Sequence, residues 1–153
     1  MRLSTFTDYN LRVLMYLGVQ SERLATIAEI AAAHEISENH LMKVVHQLGR
    51  SGYIETVRGK GGGIRLARAP KEMVLGDVIR QTEGDIAMAE CFAQKSACRI
   101  EPACRLKSIL GEALSAMFLV FDDYTLADLL EKPHDHLKAI RWRERTPQVH
   151  LRD

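Results

Sequence analysis

No apolar run in this sequence reaches the roughly 18–20 residues that span a bilayer, although 46% of the 153 residues are hydrophobic. The opening Met1-Arg2-Leu3-Ser4-Thr5 lacks the apolar centre of a secretory leader. The expected location is therefore the cytoplasm, with no membrane partner. Aromatic residues make up only 6%, while the hydrophobic share is enough for one modest core. No nucleophile–base pair or catalytic motif stands out, which argues against an enzyme. Cysteine is scarce too: there are three, all between Cys91 and Cys104. In a reducing compartment, clustered thiols point to metal binding or redox chemistry before a disulfide framework.

A large net charge is also missing, but the value of +1 conceals an asymmetry. Residues 38–68 hold six bases (Lys43, Arg50, Arg58, Lys60, Arg65, Arg68) against Glu38 and Glu55. From residue 69 onward there are 12 bases and 14 acids. A locally basic stretch of a near-neutral chain is an electrostatic footprint for nucleic acid. A solvated basic face would look the same.

The first half is predicted to be helical. Leu11, Leu14, Met15, Leu17 and Gly18 follow the helical period after Thr7-Asp8, giving a first helix over about 8–20. Thr26 and Glu29 have the spacing of a capping box ahead of a short second helix with Ile27, Ile30 and Ala31 as its stripe. His34-Glu35-Ile36 is the turn. Ser37 then caps a third helix with Leu41, Val44, Val45 and Leu48 inward, and Gly52 ends it. This is the helix-turn-helix arrangement. The outer face of the third helix offers Glu38, Asn39, His40, Lys43, His46, Gln47 and Arg50. Asn and Gln pair bidentately with adenine, and Lys or Arg with guanine or phosphate; an ordinary polar helix face is the alternative.

The stretch after Gly52 favours DNA. Tyr53-Ile54-Glu55-Thr56-Val57 alternates like a strand, and Gly63-Ile64-Arg65-Leu66 begins another. Arg58-Gly59-Lys60-Gly61-Gly62-Gly63 between them allows a tight hairpin with a basic tip. The phosphate-binding pattern G-x-x-x-x-G-K with a Ser or Thr after it is absent. A basic β-wing after a recognition helix is expected to lie along the backbone or probe a minor groove.

In the second half, a short helical stretch around Leu75, Val78 and Ile79 breaks at Gly84-Asp85. The cysteines come next as C-x6-C-x5-C: Cys91, Cys98 and Cys104. Three soft thiolates suit an iron–sulfur cluster or zinc, yet the usual zinc and ferredoxin spacings are missing. Free thiols stay open on spacing alone. Leu106, Ile109, Leu110, Ala113, Leu114, Met117, Phe118 and Phe121 then mark an amphipathic helix of about five turns. A small domain cannot cover so long a stripe, so a second subunit is its natural cover, with packing inside the chain as the alternative. Tyr124 to Leu130 holds a short capped helix, and the charged, proline-interrupted segment 132–153 reads as a mobile tail.

Four blocks in order carry a family resemblance: Leu3-x-x-Phe6-Thr7-Asp8-Tyr9-x-Leu11-Arg12, Val57-Arg58-Gly59-Lys60-Gly61-Gly62-Gly63-Ile64-Arg65-Leu66, Pro102-Ala103-Cys104-Arg105-Leu106-Lys107 and Tyr124-Thr125-Leu126-Ala127-Asp128-Leu129. The chain resembles, from Met1 to about Leu130, the Rrf-type family of winged-helix iron–sulfur regulators, and within it the nitric-oxide-sensing repressors. The resemblance implies a mainly α fold with a small β-hairpin. Its divisions would be a winged helix-turn-helix domain over 1–82, a cluster loop over 83–104, a dimerisation helix and short capped helix over 105–131, and the tail.

The resemblance also implies a cytoplasmic homodimeric repressor that binds palindromic double-stranded promoter DNA at half-sites one helical turn apart. Ser37, Asn39, His40, Lys43, Gln47, Arg50, Arg58 and Lys60 would form the DNA surface. Cys91, Cys98 and Cys104 would hold the cluster, a 4Fe-4S form being favoured over 2Fe-2S. The fourth ligand implied is Asp8 of the partner subunit, which would otherwise be a plain acid at a helix start. A hard carboxylate would leave one iron more open to attack, which suits nitric oxide as the signal that releases DNA and switches on nitrosative-stress genes. Family members that sense cluster supply have a histidine three residues after the third cysteine, where this chain has Lys107. The alternatives are a related iron–sulfur or redox sensor of the same family and, from another class, a small electron carrier.

Overall fold

The computed structural model describes residues 2–84, 86–92, 98–100 and 103–131; the tail over 132–153 lies outside the described residues. Six helices and one hairpin occur in chain order among them: α1 (Thr5–Val19), α2 (Ile27–His34), α3 (Glu38–Arg50), β1 (Ile54–Val57), β2 (Gly63–Leu66), α4 (Leu75–Thr82), α5 (Arg105–Asp122) and α6 (Leu126–Leu129). The mainly α winged-helix class expected from the sequence is the one observed.

α1 begins three residues earlier than its apolar period suggests. Ser4, not Thr7-Asp8, supplies the cap: its hydroxyl accepts the Thr7 N–H at 3.1 Å and donates to Thr7 Oγ1 at 3.1 Å. Thr7 and Asn10 are fully buried, so α1 turns polar residues inward where periodicity expects only apolar ones.

Thr26 does cap α2, accepting the Glu29 N–H at 3.2 Å. Glu29 does not complete the expected capping box. Its carboxylate instead accepts the Tyr16 hydroxyl at 2.5 Å and both guanidinium nitrogens of Arg23. The Arg23 bonds, with help from Tyr16, hold Glu29 down at about 2. Burial, then the bond to Glu29, pushes Tyr16 up to about 12. A charged bidentate partner outcompetes one backbone N–H, and the start of α2 is thereby fixed to α1.

The turn between α2 and α3 passes through Glu35, at φ 55°. Ser37 caps α3 as expected, and Leu41, Val44, Val45 and Leu48 are buried. With Val13, Leu14 and Leu17 of α1 and Ile30 of α2 they form the core. Each such side chain contributes about 1.5–3 kcal/mol when fully buried.

β1 and β2 pair antiparallel in the register Ile54↔Leu66, Glu55↔Arg65, Thr56↔Ile64, Val57↔Gly63. Ile54 and Ile64 face the core, and Arg65 is ion-paired with Glu55 outside. A bridge that periodicity does not reveal extends the wing: Ala25 N–H donates to Ile64 O at 3.0 Å, and Ile64 N–H to Ala25 O at 2.8 Å. The chain just before α2 thus acts as a third edge, and a Cβ on Gly63 would lie 2.7 Å from Ala25 O.

α4 packs against α1 and α5. A second bridge, Val74↔Thr125, joins the start of α4 to the start of α6. Asp128 accepts the Thr125 N–H at 2.6 Å and its hydroxyl at 2.7 Å, the capping expected there. α5 spans 18 residues, five turns as expected. Its only buried residue is Phe118. Leu106 is 59% exposed and Ile109 48%. Of the stripe, Leu106, Ile109 and Ala113 are exposed, Phe118 is buried, and Leu110, Leu114, Met117 and Phe121 are half-buried.

Candidate nucleic-acid interface and sensor loop

The outward face of α3 is polar because its inward face consumes the apolar residues. Ser37, Asn39, His40, Lys43 and Arg50 are exposed, as are Glu38 and His46. Gln47 is half-buried, its amide donating to Ser51 Oγ at 3.4 Å. His40 lies against the Tyr9 ring at 6.2 Å between centroids. One residue on this face is not among those expected from the sequence. Met42 is half exposed, 50% by area. The signal for it is its position off the Leu41–Val44–Val45–Leu48 stripe, where an apolar residue has no inward role.

The wing turns at Arg58–Gly62, closed by a Gly62 N–H to Gly59 O bond of 3.0 Å. Gly59 and Gly61 sit at φ 101° and 77°, where a side chain is strained. Arg58 and Lys60 are exposed on this turn. The base of the wing is tied to the end of α3: Arg68 donates to Ser51 O at 3.1 Å and lies over the Tyr53 ring at 5.0 Å. The base of the wing is thereby held against the end of α3.

Cys91 lies in a short 3-10 turn (Glu90–Phe92), Cys98 just after residues 93–97, and Cys104 immediately before α5, with no side-chain bond to its first turn. All three are half-buried and none is in a disulfide. The Phe92 ring would lie 3.8 Å from a Cβ on Gly111, so the turn that holds Cys91 rests against the helix that Cys104 opens. Among the described residues, no three His, Cys, Asp or Glu side chains gather at metal-binding spacing. Asp8 stands in the first turn of α1, its carboxylate 2.9 Å from Arg12 Nε and its side chain 45% exposed. Lys107 occupies the first turn of α5 and is half-buried. As a donor set, three thiols outside any disulfide, one of them at the start of an 18-residue helix, fit an iron–sulfur cluster in kind. The positive end of that helix favours the negative charge of a thiolate-bound cluster.

No helix among the described residues is long and apolar enough to cross a membrane. The profile of the Rrf2 family, described as iron-dependent transcriptional regulator, matches residues 3–132. The chain is 47% identical over 146 residues to the HTH-type transcriptional regulator NsrR of Bacillus subtilis (strain 168), covering 94% of this chain and 100% of that protein. It is 53% identical over 133 residues to NsrR of Geobacillus kaustophilus (strain HTA426), covering 86% and 90%. Among solved structures it is similar to T. potens IscR, with 27% identity, a TM-score of 0.69 and coverage of 86% and 87%. It is also similar to oxidized Staphylococcus aureus CymR, with 27% identity, a TM-score of 0.68 and coverage of 86% and 97%. With an exposed recognition face, a basic wing and these relatives, the chain belongs to the Rrf2 family of DNA-binding transcriptional regulators, which is not a class of enzymes.

Proposed function

We propose that this chain is a cytoplasmic homodimeric repressor that reads a palindromic operator and is released from it by nitric oxide. The observation that carries the sensing half is that the turn holding Cys91 rests, through Phe92, on the helix that Cys104 opens, with Cys98 between them in sequence. In this reading residues 1–82 read DNA, 83–104 hold a cluster on Cys91, Cys98 and Cys104, and 105–131 dimerise. A 4Fe-4S form is favoured over 2Fe-2S, and Asp8 of one subunit serves as the fourth ligand to the cluster of the other. When bound, the cluster supplies iron that nitric oxide can attack.

The chain's own residues do the rest. Asn39, Gln47 and Lys43 address base edges; Ser37, His40, Arg50, Arg58 and Lys60 address the backbone. The exposed start of the α5 stripe supports a dimer, since Leu106 and Ile109 lack cover among the described residues.

Anaerobic purification with iron and sulfide counted, and DNA binding measured before and after nitric oxide, tests this reading. Stoichiometric iron and sulfide with loss of binding on nitric oxide is expected. Cys91→Ala, Cys98→Ala and Cys104→Ala should each abolish the visible absorption; a brown, fully loaded triple variant would end the cluster assignment. A related redox sensor of the same family would instead answer to oxygen or peroxide and ignore nitric oxide.

A further inference from the structure

The described residues leave eight large hydrophobic side chains exposed, and Met42 is the only one of them on α3. It has no inward role, because Leu41, Val44, Val45 and Leu48 already fill the buried stripe. Its neighbours along the outer face of α3 are polar. Asn39 stands one turn before it and His46 one turn after, with Lys43 adjacent.

Two grooves flank α3. One is lined by Phe6 with Asn39, Lys43 and Gln47, and the other by Ile27 and Thr56 with Gly49 and Arg50. Met42 and His46 line both. They therefore form the crest of α3 between the two grooves. On a helix that enters a major groove, the crest meets the base edges.

A thioether side chain neither donates nor strongly accepts hydrogen bonds, so it cannot read the polar code of a base edge. The one apolar feature that the major groove displays is the C5-methyl of thymine. Met is unbranched and flexible, which lets it settle on a methyl without strict registry. We propose that Met42 is a specificity-determining residue that recognises the C5-methyl group of one thymine in each half-site. Asn39, on the same face, is placed to address adenine close by. The assignment rests on α3 being the recognition helix.

The test uses the full-length, anaerobically purified protein and the tightest duplex it selects from a random DNA pool. Each thymine is replaced in turn by deoxyuridine, which removes only the methyl. Wild type should lose about 4-fold in affinity at one position per half-site, the equivalent of about 0.8 kcal/mol for one buried methyl. Met42→Ala should bind the thymine and deoxyuridine duplexes equally, and Met42→Leu should keep the preference. Discrimination that persists in Met42→Ala, or no sensitive thymine in wild type, would overturn the role of Met42 while Asn39→Ala still weakens binding. Unchanged affinity of Asn39→Ala and Lys43→Ala would instead overturn α3 as the recognition helix, and this proposal with it.

Discussion

Arg80 of α4 and Asp122 of α5 join through two hydrogen bonds of 2.7 Å each, and the Arg80 guanidinium also lies 4.4 Å from the centre of the Phe118 ring. The pair fits because residue 76 has no side chain: a Cβ there would lie 1.8 Å from Asp122 Oδ1. Hydrogen bonds from Arg80 hold Asp122 below its ordinary range. Both partners are more than a third exposed, so the clamp adds little to stability. Its value is geometric, since it fixes the end of α5 to the helix that packs on α1.

If that clamp relays the state of the cysteine loop to the DNA-binding unit, Asp122→Ala should fold normally but uncouple the two. The ratio of operator affinities between cluster-loaded and cluster-free protein should shrink toward one. Gly76→Ala should act in the same direction by pushing the Asp122 carboxylate aside. An unchanged ratio in both variants would remove the clamp from the coupling path.

Two helix glycines should respond oppositely to alanine. Nothing lies within 4 Å of a Cβ at Gly49, so Gly49→Ala should stabilise by about 0.5–1 kcal/mol through helix propensity. A Cβ at Gly18 would fall 2.4 Å from Leu130 Cδ1, so Gly18→Ala should destabilise by about 1 kcal/mol as the Leu130 side chain is pushed off its packing on α1. Urea midpoints at constant slope would show both.

The Glu29 site sets an acid limit. Because its folded value is depressed to about 2, the stability it contributes is present above the ordinary 4.5 and is lost as pH falls from there through about 2. Tyr16, raised to about 12, contributes stability that is lost as pH rises from 10 through 12. Glu29→Gln should flatten the acid limb of a melting-temperature profile, and Tyr16→Phe the alkaline limb.

The wing should act through phosphate. Removing Lys60 or Arg58 is expected to weaken binding to all sequences alike and to reduce the salt slope by about 0.9 per lost contact. Equal binding by wild type and the Arg58→Ala/Lys60→Ala double variant across salt would take the wing out of the interface.

Asp8 is the ligand assignment most open to refutation, because its carboxylate faces Arg12 within the subunit. Asp8→Ala should keep iron on three cysteines but shift the spectrum, shorten cluster lifetime and weaken DNA binding before any nitric oxide is added. Asp8→Cys should restore a long-lived cluster with a slower response. A variant indistinguishable from wild type in all three would leave Asp8 as a helix-start acid.

Local chemistry made much of this protein legible in its residue order. The Ser37 and Thr26 caps, the Leu41–Val44–Val45–Leu48 stripe, the glycine turn of the wing and the Thr125–Asp128 cap all depend on residues a few positions apart. At these positions the folded chain offers no stronger partner, so the local hydrogen bonds and periodicity hold. What the folded chain alone decided involves distant partners. Glu29 left its capping box for Tyr16, 13 residues away, and for Arg23. Ala25 became an edge of the wing through Ile64. Arg80 found Asp122 at a separation of 42 residues. In each case a donor and acceptor meet only because buried faces elsewhere bring their elements together, and no local pattern encodes that meeting. Met42 shows the same division: its residue type is plain in the sequence, but its place on the crest of α3 emerges only once the other faces are buried.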